Sequence, residues 1–94
     1  MAYVYILANW NNTALYIGVT NDLIRRLYEH KGGFVDSFSR RYRTHKLVYY
    51  EETSDMFAAI EREKYLKKIR RERKNLLINN FNPHWLDLSE EWKK

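Results

Sequence analysis

The sequence predicts a small α/β domain of the α+β type: a three-stranded, at least partly antiparallel sheet flanked by helices, in the order strand, strand, helix, strand, helix, helix. Three observations point there. Two apolar, tyrosine-bearing runs, Tyr3–Leu7 and Leu15–Val19, flank the turn formers Asn9-Trp10-Asn11-Asn12-Thr13, the pattern of a hairpin. A third β-rich run, Leu47-Val48-Tyr49-Tyr50, stands between polar segments. Helical periodicity with capping residues follows the hairpin and again follows the third run. With 94 residues and neither a repeat nor a low-complexity tract, the chain makes one domain, a core over about residues 1–80 and a tail over 81–94. A core that small leaves an open site rather than an enclosed cavity.

Pairing Leu7 with Tyr16 and Tyr5 with Gly18 puts Val4, Ile6 and Ala8 on one apolar sheet face with Leu15, Ile17 and Val19. Tyr3, Tyr5, Tyr16 and Thr20 take the other face, around Gly18. A glycine there reads as clearance for something approaching the backbone. Asn21 or Asp22 caps the first helix, which runs to about His30 and stops at Lys31-Gly32-Gly33. Phe34 to Thr44 is expected as a basic loop, and His45 to Glu52 as the third strand. Thr53-Ser54-Asp55 caps a helix over Met56 to Ile69, and a basic helix follows over Arg71 to Asn79. From Phe81 the tail carries Trp85, Leu86, Leu88 and Trp92, which should fold it back onto the domain.

Net charge is +5 and the pI about 9.5, which suits a polyanionic partner, nucleic acid before membrane. Many small soluble domains are basic, so charge narrows the partner without naming it. Absence of cysteine excludes disulfides and thiolate metal sites, and a cytoplasmic location fits best. The N-terminal apolar run is short, follows no cation and alternates as a strand does, so it is expected to be neither a signal peptide nor a membrane span.

In the helix from Met56, residues Met56, Ala59, Ile60 and Leu66 form an apolar arc with Glu63 at its centre. A carboxylate there needs a cation, a metal ion or the edge of a polar cleft, and a structural salt bridge to an arginine would also serve. Glu61 projects the opposite way, to solvent. On the first helix Arg26 and His30, four apart, flank the arc of Leu23, Ile24 and Leu27 and lean toward the sheet. Arg25 points away, toward solvent or a phosphate. That spacing alone also fits two ordinary surface groups.

Together, Val4-Tyr5, Tyr16-Ile17-Gly18, Arg26 ten residues after Tyr16, His30 one turn later and Glu63 within Arg62-Glu63-Lys64 resemble the GIY-YIG nuclease superfamily over nearly the whole chain. The small single-domain bacterial members are the most similar, and Asn82-Pro83-His84-Trp85-Leu86-Asp87-Leu88 resembles their ending. The resemblance implies that Tyr5 and Tyr16 are the motif tyrosines, Arg26 the essential arginine, His30 the position of a His or Tyr, and Glu63 the metal ligand. Tyr3 stands where the first motif has glycine. The family's asparagine after the glutamate has two candidates, Asn75 and Asn82.

The activity implied is hydrolysis of a phosphodiester in DNA ahead of RNA, structure-specific and linked to repair or recombination, with one Mg²⁺ or Mn²⁺ on Glu63. Arg26 would neutralise charge on the phosphate oxygens. Tyr5 or Tyr16 would help to deprotonate water; with a free pKa of about 10, that tyrosine needs Arg26, the metal or His30 beside it. Phosphate contacts fall to Arg25 and Lys31, to Arg40, Arg41, Arg43 and Lys46, and to Lys67 and Arg70. Neither a small organic cofactor nor a membrane is expected, and the chain is expected as a monomer or weak dimer. The competing function classes are a catalytically idle nucleic-acid-binding module and an interaction subunit of a repair complex, the latter suggested by the aromatic tail.

Overall fold

The hairpin forms in the register that the tyrosine spacing predicts. β1 (Ala2–Ala8) pairs antiparallel with β2 (Leu15–Thr20), Leu7 opposite Tyr16 and Tyr5 opposite Gly18. In this computed structural model, which describes residues 1–32 and 37–93, β3 (Lys46–Thr53) adds antiparallel to the far side of β1 and the sheet order is β2-β1-β3. As the central strand, β1 must be apolar on both faces, and every residue in it except Tyr3 is buried. Between Ile6 and Leu7 the pairing skips from Tyr49 to Leu47. This bulge lets the consecutive Val48 and Tyr49 join the same core cluster.

The helices cover both faces. α1 (Leu23–Lys31) starts at Asp22, whose carboxylate accepts from the Arg25 N–H at 3.1 Å, and ends where the Gly32 N–H reaches the Tyr28 carbonyl. Leu23 and Leu27 pack under the tyrosine face with Tyr5, Leu7 and Leu47. Ile24, expected in the same arc, is 65% exposed because its position turns it off the sheet. α3 (Met56–Lys68) starts at Asp55, which accepts from the Ala58 N–H at 2.8 Å, and α4 (Arg71–Phe81) follows it. Ala59, Leu66 and Ile78 from these two helices close the opposite core over Val4, Ile6, Ile17, Val48 and Tyr49.

One expectation fails. Within the segment taken as a basic loop, Ser37–Tyr42 is a short helix, α2. Its Phe38 and Tyr42 rings, one turn apart, stack with centroids 4.7 Å from each other, and Phe38 reaches Tyr16 at 6.4 Å. The expected helix stop at Gly33 and the start of that loop at Phe34 lie outside the described residues.

The tail does fold back through Trp85 and Leu88, whereas Leu86, expected to join them, is 62% exposed, and the Trp92 side chain lies outside those described. Asn82 is buried and donates to the carbonyls of Val48 at 3.1 Å and Leu86 at 2.8 Å, while its own amide oxygen accepts from the Leu86 N–H. Asp87 accepts from the Leu47 N–H, from the N–H and hydroxyl of Ser89 and from Lys31, before a 3₁₀ helix over Leu88–Lys93. Trp85 packs on the α3 and α4 core and Leu88 on the α1 core, so the tail wraps the free edge of β3.

Candidate active site

Alternation on a sheet brings Tyr5 and Tyr16 to one face, and the α1 turn after Arg26 brings His30 onto them. The ring centroids of Tyr5 and Tyr16 are 6.3 Å apart; His30 meets Tyr5 at 5.7 Å and Tyr16 at 4.9 Å, both edge to face. Tyr5 Oη is hydrogen bonded to His30 Nε2 at 3.0 Å, the donor being set by the imidazole tautomer. Tyr5 is 1% exposed and His30 0%, whereas Tyr16 is half-buried. Of the three rings, Tyr16 is the one that reaches solvent.

Gly18 serves this cluster differently from the sequence expectation. A Cβ at that position would overlap Oη and Cζ of Tyr5, whose ring lies across the glycine from the facing strand. The clearance is therefore taken by Tyr5 itself, not left for a phosphate.

Arg26 sits one turn before His30. Its Nε is 3.6 Å from Glu29, an ion-pair distance, and is buried without a hydrogen-bond partner among the described residues. Buried guanidinium donors are ordinarily satisfied; here Glu29 stands just beyond hydrogen-bonding reach of Nε, while the Arg26 side chain as a whole is 35% exposed. Arg25 is exposed, as expected.

Glu63 lies on α3, against the opposite face from His30. Its side chain is 17% exposed, and its ion-pair partner is Lys67 at 3.6 Å, not an arginine. The neighbouring Arg62 is committed elsewhere: its Nε donates to Glu51 at 2.7 Å, and Glu51 also accepts from the Tyr49 hydroxyl. Burial, then the Glu51 carboxylate, pushes the Tyr49 phenol up to about 12. Sequence reasoning missed this β3–α3 tie, for which alternate-residue placement of Tyr49 and Glu51 was the available signal. Glu61 is exposed, as expected.

The two faces meet at the β2 edge. A concave site of about 250 Å³ there is lined by Leu15, Tyr16, Ile17, Phe38, Lys67 and Lys74. Tyr16 thus shares a cleft with the lysine that pairs with Glu63. Among the described residues no cluster of three metal-ligating side chains exists. A lone carboxylate held only by a long ion pair fits a hard cation that draws its remaining ligands from water and substrate oxygens.

The other expected site residues take varied positions. Asn75 accepts from Arg71 at 2.9 Å, and Arg71 in turn donates to the carbonyls of Asn12 and Thr13 in the hairpin turn. Asn82 is the tail clamp described above. Lys31 is engaged by Asp87 and Ser89, and Lys46 by Asn12 at 2.6 Å. Arg40, Arg41, Arg43, Lys67 and Arg70 are exposed cations. No helix among the described residues is long and apolar enough to cross a membrane.

Comparison with known proteins gives the family of the chain. The GIY-YIG catalytic domain family matches residues 1–76. A UPF0213 protein of Clostridium perfringens is 39% identical over 80 residues, covering 85% of each chain. Another, from Haloquadratum walsbyi, is 36% identical over 80% of this chain and 83% of its own. The solution NMR structure of a UPF0213 protein from Bacillus halodurans superimposes with a TM-score of 0.53 at 29% identity, covering 84% of both chains. By its matched domain, its register and its tyrosine–histidine cluster, the chain belongs to the GIY-YIG family of nuclease catalytic domains.

Proposed function

We propose that this chain is a metal-dependent endonuclease that hydrolyses phosphodiester bonds in DNA at the cleft along β2. The observation that carries this reading is the buried, unsatisfied Nε of Arg26 one turn from the Tyr5–His30–Tyr16 cluster. A guanidinium held by its own chain only through a long ion pair with Glu29, and 35% exposed, is suited to a phosphate oxygen, and its planar fork can follow charge that grows on that oxygen in the transition state. Glu63 would hold one Mg²⁺ or Mn²⁺, which supplies charge neutralisation and a more acidic bound water. Lys67 screens Glu63 and yields at 3.6 Å without breaking a hydrogen bond.

Tyr16 Oη is the proton acceptor in this scheme because it reaches solvent, and His30 and Tyr5 fix its ring. A water oxygen attacks phosphorus, the bond to the leaving oxygen breaks, that oxygen takes a proton from solvent to become a hydroxyl, and the attacking water's proton passes to Tyr16 Oη. The exposed cations Arg40, Arg41, Arg43 and Arg70 would contact phosphates, which carry no base sequence, and this supports recognition of nucleic-acid shape and, with it, a role in repair or recombination.

Glu63 already has a protein cation beside it, and that favours a second reading, an idle nucleic-acid-binding module. The two separate on supercoiled, nicked and branched DNA incubated with Mg²⁺ or Mn²⁺. The nuclease reading expects cleavage that drops by roughly 10²-fold or more in Arg26→Ala and Glu63→Ala. Wild-type cleavage no greater than that of Glu63→Ala, with salt-dependent binding intact in both variants, would establish the idle module instead.

A further inference from the structure

At the hairpin turn Trp10 is 85% exposed, the highest value among the large apolar side chains described. A single exposed apolar residue is ordinary on a protein surface. Two features set this one apart. First, it is held on a fixed platform. Asn9 donates from Nδ2 to Thr13 Oγ1 and accepts from the Ala14 N–H, and Thr13 Oγ1 donates to Asn11. From outside the turn, Lys46 Nζ grips Asn12 Oδ1 at 2.6 Å and Arg71 grips the Asn12 carbonyl at 2.5 Å. Asn12 itself takes φ 62, a left-handed conformation that asparagine tolerates well. The backbone that carries the ring is thus ordered before binding, which leaves the Trp10 side-chain rotamers as the main entropy to be lost there.

Second, cations converge beside it. A concavity of about 460 Å³ joins Trp10 to Lys31, Arg43, His45, Lys46 and Asp87. That size lies within the range of about 300–1,000 Å³ usual for ligand sites. Asp87, its carboxylate, is already satisfied by Leu47, Ser89 and Lys31 and leaves the site positive. Burial, then Lys31 and Arg43, lowers the His45 pKa, so both cations bear on one imidazole. An aromatic face flanked by cations matches a nucleobase with its neighbouring phosphates. Bases within a duplex already have their faces covered, so the base that stacks must be unpaired.

We infer that the hairpin turn is a second nucleic-acid subsite, where Trp10 stacks on an unpaired base and Lys31, Arg43 and Lys46 hold the adjoining phosphates. The inference rests on the nucleic-acid reading above and adds a substrate class: a strand unpaired next to the point of cleavage. The turn leads directly into Leu15 and Tyr16, which line the β2 cleft. Subsite and cleft are thus borne by one hairpin, which a single bound strand would span.

Binding is measured by fluorescence anisotropy in EDTA, so that cleavage plays no part. The probes are a blunt DNA duplex, the same duplex with a single-stranded extension, and a single strand, with an RNA strand as a further arm. Trp10→Ala should weaken binding to the extended and single-stranded probes by about 5- to 150-fold while changing the blunt duplex by less than about twofold. Trp10→Phe should recover most of the loss. A Trp10→Ala protein that binds all probes as the wild type does overturns the inference. Wild-type binding to none of them overturns it together with the nucleic-acid reading. Trp10-dependent binding without cleavage on adding Mg²⁺ upholds the inference and removes the nuclease proposal alone. A tighter RNA than DNA strand assigns the unpaired base to RNA without altering the role of Trp10.

Discussion

Replacing Gly18 by alanine tests whether Tyr5 or a ligand occupies the space above the glycine. The added Cβ would overlap ring atoms of a side chain that is 1% exposed. Overpacking of this kind costs about 1–3 kcal/mol. Displacing the ring also breaks the Tyr5–His30 hydrogen bond and leaves a buried group unpaired, at about 1–3 kcal/mol. Against this, alanine gains about 0.5–1 kcal/mol over glycine within a strand. The expected net destabilisation is about 2–4 kcal/mol, a large share of the roughly 5–15 kcal/mol that holds a domain folded.

Urea unfolding of Gly18→Ala in three backgrounds gives the answer. With Tyr5 intact the full cost appears. In Tyr5→Phe much of it remains, because Cζ is among the overlapping atoms. In Tyr5→Leu the cost should vanish, giving a coupling of about 2 kcal/mol or more. Equal costs in the Tyr5 and Tyr5→Leu backgrounds, within about 0.5 kcal/mol, would refute the reasoning. So would wild-type stability accompanied by lost DNA binding, the result expected if the glycine made room for a phosphate.

Two further outcomes concern the tail. Asn82→Ala should lower stability by about 1–3 kcal/mol, since the Val48 and Leu86 carbonyls and the Leu86 N–H lose their partner; a urea midpoint within error of wild type would remove Asn82 from that role. For Asp87, burial pushes the carboxyl up, but hydrogen bonds from Ser89 and Leu47 and the Lys31 charge outweigh it and hold the pKa below the ordinary carboxylate value. A depressed folded-state pKa contributes stability in full above the unfolded value of about 3.9, and that stability is lost as pH falls through the folded value. Asp87→Asn should therefore be destabilised by about 1–2 kcal/mol at pH 7, with the gap to wild type closing below about pH 4 in urea titrations. A gap that stays constant with pH would show that the Asp87 charge does not hold the tail.

The sheet was legible because alternation and one tyrosine-to-glycine pairing fix which side chains share a face, and a one-residue slip would have turned Val4 and Ile6 away from the α3 and α4 core onto the tyrosine face. α2 was not, since six residues give too little periodicity and its arginines read as loop; the Phe38–Tyr42 spacing was its one internal signal. The misfit of Glu63 on an apolar stripe was visible in the sequence, but its partner was not. Lys67 and Arg62 are both near in sequence, and only the position of Glu51 on β3 takes Arg62 away. Asn82 could stand for a catalytic asparagine in the sequence because nothing local reveals that its amide reaches Val48, 34 residues back.

Tyr5 and Tyr16 are alike in sequence and share one sheet face, yet their surroundings divide the work between them. Tyr5 is 1% exposed and its hydroxyl is bonded to a fully buried imidazole, which shields it from a water attacking phosphorus. Tyr5 therefore acts through others: it fills the space over Gly18, fixes His30, and through that ring supports Tyr16 from beneath. Tyr16 sits where the strand edge meets solvent, beside the lysine that accompanies Glu63. In the proposed hydrolysis Tyr5 is thus a positioning residue and Tyr16 the group able to exchange a proton with water. Both strands of the hairpin are needed for that division, since β1 supplies the buried support and β2, at the sheet edge, supplies the reactive group.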